Sequence, residues 1–339
     1  MLDFSAESVF HHSFLIENQD LTPSRMRIGI SACLLGEEVR FDGGHKRDEF
    51  LTTVLGPHVE WVPVCPEVEV GMGTPREALR LVRSGHVLRM ITIRTSVDHT
   101  DAMTRWSARR LDELAREDLC GYVLKKDSPS CGMERVRVYA PGGGAVGERT
   151  GRGLFAAALL ARFPSLPVEE EGRLSDPRLR ENFIERVFAY RRLKDLFESR
   201  WTAAAVVRFH TAHKMALLAH STTAYQALGR LVADMKSIPR GEFRERYERQ
   251  FMHTLALTAT ARRHTNVLTH MAGHLKRRID PASRAELQES IDDYRRGLIP
   301  RVVPLTLIRH HVRAHNVAYL RGQTYLEPDR RELVLRNHV

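Results

Sequence analysis

Cysteine is scarce here: four residues in 339, with no C-x-x-C pair anywhere. So few thiols in a chain of this size do not make a disulfide scaffold. The absence of closely spaced pairs argues against a zinc ribbon, and HExxH is missing as well. Apolar runs such as LFAAALLA (154–161) fall far short of the roughly 18–20 residues that span a bilayer. No basic segment followed by an apolar one opens the chain, so no leader is expected. The thiols should then stay reduced in the cytoplasm, available for metal binding, catalysis or burial. There is no low-complexity tract and no repeat of fixed period. Composition, 42% hydrophobic and 28% charged, is that of a folded globular protein of about two domains.

What is present is unevenly placed. The formal net charge is +10, yet residues 1–165 carry 21 of the 52 Lys and Arg against 22 of the 42 Asp and Glu. The remainder therefore holds 31 basic against 20 acidic residues, and 11 of the 17 histidines. A near-neutral half joined to a strongly basic one suggests separate tasks, and basic fields of this kind commonly meet polyanions. The blander alternative is a solvated charged helix surface.

Residues 1–24 show no periodicity and read as a tail or extension. From 25 to 165 short β-branched runs alternate with helical patterns. Strands are expected at 28–31, 59–64, 87–94 and 121–124, followed by VRVYA and a PGGG turn at 141–144. A helix is expected over 46–55, and a long amphipathic one runs from Asp98 to about 117. This alternation predicts an α/β domain with a mostly parallel sheet. The stretch FPSLPVEEEG (163–172) reads as a seam, with a linker over 166–175. Strand signals then nearly vanish. Helices are expected over about 176–199, 202–219, 221–236, 241–261, 264–278, 282–297 and 302–320, making 176–339 an all-α domain.

Three cysteines stand where a predicted strand stops: RIGISAC at Cys33, EWVPVC at Cys65 and GYVLKKDSPSC at Cys131. An open α/β sheet gathers its ligand site beyond the carboxyl ends of its strands, so thiols separated by 31 and 65 residues can meet. Three plainly buried cysteines are the competing reading. Their surroundings of glycine, proline and small polar residues are loop chemistry, where function tends to sit. Cys120 closes a helix just before a strand and reads as structural.

Glu67, two residues past Cys65, is a candidate general acid or base, or else an exposed loop glutamate. Ser128 and Ser130 can donate hydrogen bonds to sulfur or substrate, or simply stabilise a turn. Arg40 and Asp42 in RFDGG can line the same mouth, with Asp42 the reserve base. Lys125 and Lys126 suit an anionic substrate group.

SACLLGEEVRFDG, VCPEVEVGMGTPRE and LKKDSPSCG, in that order, resemble the three signature segments of the thiouracil desulfidase family, across roughly residues 26–165. The resemblance implies a [4Fe–4S] cluster held by Cys33, Cys65 and Cys131, with one iron free of protein ligands. It also implies an acid/base role for Glu67 and a hydrogen-bonding role for Ser128. The glycine-rich stretch after CPE is slightly altered here, as VEVGMG.

In the second half, FHTAHKMALLAHS, RHTNVLTHMAGHLKRR, IPRVVPLTLIRHH and ELVLRNH resemble a companion helical domain. Proteins with this fusion are similar to tRNA 4-thiouridine desulfidases, and the resemblance implies that the helical domain engages tRNA. Candidate contacts are His210, His213, Lys214, Arg262, Arg263, His264, Asn266, His270, Lys276, Arg277 and Arg278. Phosphate or base contact, or helix–helix hydrogen bonding, is favoured over a metal pair for the histidines.

The expectation is therefore an iron–sulfur enzyme that removes sulfur from a thiolated nucleobase, most naturally 4-thiouridine in tRNA. Its rivals are a desulfidase of free thiobase, a hydro-lyase using the open iron, and a non-catalytic nucleic-acid binder.

Overall fold

The computed structural model of the chain describes residues 26–85, 87–141, 146–198 and 200–336, so the tail over 1–24 and most of the PGGG turn lie outside the described residues. In chain order the first half carries β1 (Arg27–Ser31), β2 (Glu60–Val64), α1 (Pro66–Glu69), β3 (Leu79–Ser84), β4 (Val87–Thr92) and α2 (Thr100–Leu114). It continues with β5 (Leu119–Leu124), β6 (Val136–Tyr139), β7 (Glu148–Gly151), α3 (Leu154–Arg162) and β8 (Val168–Glu170). Helices then follow one another: α4 (Pro177–Glu198), α5 (Ala203–Ala212), α6 (Lys214–His220), α7 (Thr222–Ala233) and α8 (Arg240–Ala256). The last are α9 (Ala261–Leu275), α10 (Pro281–Arg296), α11 (Val302–Ala314) and α12 (Arg330–Arg336). An α/β first half followed by a helical second half is the expected fold class.

The sheet in the first half is split. One sheet has the order β2-β1-β5-β8 with every pairing parallel. The other, β4-β3-β6-β7, is mixed, antiparallel at both edges. The VLRMITIR strand therefore belongs to the second sheet rather than extending a single parallel one. The expected helix over 46–55 is also reduced, to a π-helical stretch at Phe50–Leu55. The adjacent β-branched residues Thr52, Thr53 and Val54 disfavour a regular helix, and Gly56-Pro57 follows at once.

Burial accounts for the layers. Val62, Val64, Tyr122 and Leu124 of the parallel sheet meet Met103, Trp106, Leu111 and Leu114 of α2 and Phe155 and Leu159 of α3. Ile28, Ile30 and Val123 pack instead against Phe183, Ile184, Val187 and Phe188 of α4. So the first helix of the helical half roofs the parallel sheet. The seam over 166–175 is not a free linker either: it supplies edge strand β8, and Glu169, Glu170 and Glu171 are buried. The remaining helices enclose two apolar clusters of their own, one around Phe243, Tyr247 and Phe251, the other around Leu268, Met271 and Ile308. The helix expected over 202–219 is interrupted at His213, which caps α5 and opens α6.

Gly121 in β5 permits the closest contact between the two halves. A Cβ there would stand 2.9 Å from Val187 Cγ2 and 3.3 Å from the Pro167 carbonyl. Gly121→Val should therefore push α4 off the sheet and cost about 1–3 kcal/mol in overpacking. Denaturant melts of variant and parent test this, and equal midpoints would contradict it.

Candidate active site

β1 lies between β2 and β5 in parallel register, which aligns three carboxyl ends side by side. Cys33 sits in the 3₁₀ turn that follows β1, Cys65 caps α1 directly after β2, and Cys131 lies in the loop after β5. All three line one cavity of about 310 Å³, together with Arg40, Glu67, Lys125, Lys126, Ser128 and Ser130. Nine of the residues singled out in the sequence thus come together. Asp42 does not: it stands outside, on the exposed RFDGG turn, accepting from the Gly44 amide at 3.1 Å and pairing with Arg40 at 3.4 Å. Cys120 does not close a helix: it lies within β5 and is buried in the apolar core shared with α4.

The loop bearing Cys131 is tied at several points. The Ser128 hydroxyl accepts from the amides of Ser130 (3.2 Å) and Cys131 (3.1 Å). The start of α3 reaches down to the same loop, the Leu154 amide donating to Pro129 O and the Ala156 amide to Ser130 O, each at 3.1 Å. Gly153 makes this approach possible, since a Cβ there would fall 2.4 Å from Ser130 O. From the other side, Glu170 accepts from the Met133 amide at 2.7 Å, and Glu171 takes the Lys126 amide at 2.8 Å and the Lys125 ammonium.

A polar chain crosses the cavity. Ser130 donates to Glu67 Oε1 at 2.6 Å, and the two serine oxygens are 2.9 Å apart. A carboxylate only accepts, so the Ser130 proton points to Glu67 and the Ser128 proton to Ser130. Ser130 Oγ also lies 3.9 Å from Cys131 Sγ. The other Glu67 oxygen takes Arg76 Nε at 2.9 Å, which gives the carboxylate a counter-charge. Sequence reading missed Arg76 and the two carboxylates of β8 and its end. The signal for Arg76 was its place in TPRE, a segment already part of the second signature.

Burial pushes the Cys33 thiol up to about 11, partly offset by Lys125. It also raises Cys65, and it raises Cys131 much further. Among the described residues no three His, Cys, Asp or Glu side chains converge on a point close enough for one ion. The three thiols instead line a common cavity, and this set of soft donors is one whose chemistry suits an iron–sulfur cluster.

Residues 28–171 match the 2-thiouracil desulfurase family, and residues 214–329 match a protein family of unknown function, DUF1722. Uncharacterized protein YbgA of Escherichia coli (strain K12) is 35% identical over 151 residues, 44% of this chain and 89% of YbgA. Uncharacterized protein YbbK of Bacillus subtilis (strain 168) is 29% identical over 135 residues, 38% of this chain and 87% of YbbK. Among solved structures, the [4Fe-4S]-dependent thiouracil desulfidase TudS is 31% identical, covering 45% of this chain and 95% of its own, with a TM-score of 0.37. Each relative thus accounts for less than half of this chain. An α/β domain with three cysteines lining one cavity is what site and fold define. All three cysteines lie within residues 28–171, the stretch that matches the 2-thiouracil desulfurase family.

In the helical half the expected contact residues divide. Arg262, Arg263, Asn266, His270, Lys276, Arg277 and Arg278 are exposed, and Lys214 lies against Tyr319, its ammonium 2.7 Å from the hydroxyl. His210 and His213 are buried instead, which corrects their reading as nucleic-acid contacts, while His264 is half-buried. His210 meets the Tyr247 hydroxyl at 3.1 Å and stacks on Tyr225. His213 donates to Phe209 O at 2.8 Å and accepts from Arg192 at 3.2 Å. His264 is 2.8 Å from the Tyr325 hydroxyl and flanked by Arg301. No helix among the described residues is long and apolar enough to cross a membrane.

Burial lowers these three histidines from 6.5 to about 4, 3 and 2 respectively. As pH falls below about 6.5 the unfolded chain takes up their protons and the folded chain does not. Their contribution is thus complete above that pH and erodes toward pH 4, by up to about 1.4 kcal/mol per pH unit for each. Denaturant melts at pH 7.5 and pH 5 should show a marked loss at the lower pH. His213→Asn should flatten that dependence by about one proton, and a pH-independent midpoint in the parent would contradict the assignment.

Proposed function

We propose that the chain is a [4Fe–4S]-dependent desulfidase that converts a thiolated pyrimidine to its oxo form, with 4-thiouridine in tRNA as substrate. The observation that carries this reading is the convergence of Cys33, Cys65 and Cys131 on one cavity, beside the Ser128–Ser130–Glu67 chain. Those three thiolates would hold the cluster. When bound, it would supply a Lewis-acid iron for the thiocarbonyl sulfur, with no net redox change.

The chain's own residues do the rest. Glu67 accepts the proton of the attacking water, which adds to the ring carbon as the carbon–sulfur bond breaks. Water and thiocarbonyl become carbonyl and hydrogen sulfide. Ser130 and Arg76 hold the carboxylate in place, each occupying one oxygen. Ser128 fixes the backbone that carries Cys131. Lys125 and Arg40 place positive charge near Cys33, which favours its thiolate. The exposed cations of α9 and the turn after it, Arg262, Arg263, Lys276, Arg277 and Arg278, contact tRNA phosphates. That supplies affinity without base identity. The target base must leave its stack to reach the strand ends, which an unpaired tRNA position makes easiest.

Protein purified without oxygen should carry close to four irons and four sulfides per chain. Cys33→Ala, Cys65→Ala and Cys131→Ala should each lose most of that iron, while Cys120→Ala keeps it. Stoichiometric zinc in anaerobically reconstituted protein would sink the cluster assignment.

Glu67→Gln should retain iron and substrate binding yet lose about 10²–10⁴ in rate, the usual worth of a positioned base. Anaerobic incubation with bulk thiolated tRNA, followed by nucleoside analysis, tests substrate and base together. Unchanged 4-thiouridine in the parent refutes the tRNA reading, and near-normal turnover in Glu67→Gln removes Glu67 from the role.

A further inference from the structure

A second hollow, also about 310 Å³, adjoins the cysteine cavity on the outer face of the mixed sheet. The two share Leu79, Asp127 and Pro129 as a common wall. Strand register explains what lines it. Leu81 of β3 pairs with Val138 of β6, and both are buried in the core. The residues just before them, Arg80 and Arg137, therefore point to the opposite, outer face. Arg137 in turn stands directly opposite Arg149 of β7. Three adjacent strands thus present three guanidinium groups in one row.

Such a row is costly by itself, because like charges directly opposite on antiparallel strands destabilise a sheet. Arg149 is relieved by Asp127 at 3.3 Å, a pair that is about half exposed. Among the described residues Arg80 and Arg137 have no ion-pair partner. The Arg80 guanidinium lies 5.7 Å from the centre of the Tyr139 ring, and its Nε is buried without a hydrogen-bond partner. A donor held in that state beside a second cation, in a hollow that shares a wall with the cysteine cavity, suits an anion with several acceptor oxygens. A guanidinium fork matches phosphate geometry in particular.

We propose that Arg80 and Arg137 form a phosphate subsite of the same active site. It holds the phosphate attached to the nucleotide whose base enters the cysteine cavity. This rests on the thionucleobase reading above and adds to it that the α/β half itself grips the substrate backbone. The chemistry is shared by the phosphomonoester of a free nucleotide and the phosphodiester of RNA.

The test uses the full chain, reconstituted anaerobically, with 4-thiouridine, its 5′-monophosphate and a short RNA containing 4-thiouridine. In Arg80→Gln, Arg137→Gln and the double variant, KM for the RNA should rise about tenfold or more per arginine, the worth of a charge-assisted hydrogen bond. The kcat should hold, and 4-thiouridine should be processed as by the parent. A parallel rise for the monophosphate assigns the subsite to a phosphate on the reacting nucleotide. A rise for RNA alone, with the monophosphate processed as by the parent, would overturn the assignment to the reacting nucleotide's own phosphate. Binding of an unthiolated uridine pentanucleotide, which needs no chemistry, should lose about 0.7 in salt slope per arginine removed.

Arg137 is exposed, so its variant folds even where Arg80→Gln does not. RNA turnover and pentanucleotide binding equal to the parent in Arg137→Gln and the double variant would overturn the proposal, as would an equal loss on 4-thiouridine. Should the parent desulfurate none of the three compounds while pentanucleotide binding still depends on the arginines, the proposed reaction fails and the phosphate subsite stands.

Discussion

The loop that carries Cys131 is clamped between two independent pieces of backbone, and the site depends on that clamp. The start of α3 bonds to the carbonyls of Pro129 and Ser130 on one side. On the other, Glu170 and Glu171 hold the amides of Met133 and Lys126. Cys33 and Cys65 are placed differently, by short turns at the ends of directly paired strands. Parallel pairing fixes where all three strands end, but only the clamp fixes how the third loop folds back over them. A set of three thiols facing one space has no covalent link to hold it, so this backbone network does the holding.

Most of the architecture was legible because each half has its own hydrophobic period. The helices from α4 to α11 fall where the 3.6-residue pattern puts them, and β1, β2 and β5 where short β-branched runs stop at a cysteine. What stayed hidden has a common cause. The VEEE stretch looks like a solvated linker because its glutamates are charged, yet each has a partner: Arg173 and Arg186 for Glu169, a backbone amide for Glu170, Lys125 for Glu171. Those partners lie up to 46 residues away, beyond any local pattern. Arg76 escaped notice for the same reason, since its meaning comes from Glu67. The histidines misled in the opposite direction: polar by type, His210 and His213 are buried by fold and His264 is half-buried, with Tyr247, Phe209 and Tyr325 as partners.

The division into two domains, clear in composition, is weaker in packing. α4 belongs by sequence to the helical half, yet it packs on the parallel sheet with Phe183, Ile184, Val187 and Phe188 and on α8 with Leu193 and Phe197. Its polar face enters a buried ionic network as well. Glu185 meets His220 at 3.3 Å and Arg336 at 3.8 Å, while Arg192 reaches Glu332 of α12 at 2.8 Å. Opposing charges hold Glu185 far below the usual carboxylate range despite its burial. Buried pairs of this kind add little net stability over an apolar core, but losing one partner leaves the other charged and unpaired. The network therefore fixes how α4, the α6–α7 corner and α12 sit together, and through α4 it fixes the roof of the sheet.

Net charge per half is likewise a poor guide to where an anion meets the protein. Residues 1–165 are almost neutral in sum, which made the helical half look like the sole basic surface. Summation ignores placement, whereas a field depends on which charges share a face and which are cancelled. Among the acids of the first half, Glu67 is spent on Arg76 and Glu69 on Arg110, and Glu117 on Arg27. Lys125 and Arg40 line the cysteine cavity but are paired with Glu171 and Asp42, whereas Arg80 and Arg137 on the sheet beside it have no ion-pair partner among the described residues. A nearly neutral domain can thus present a local positive patch on an outer sheet face.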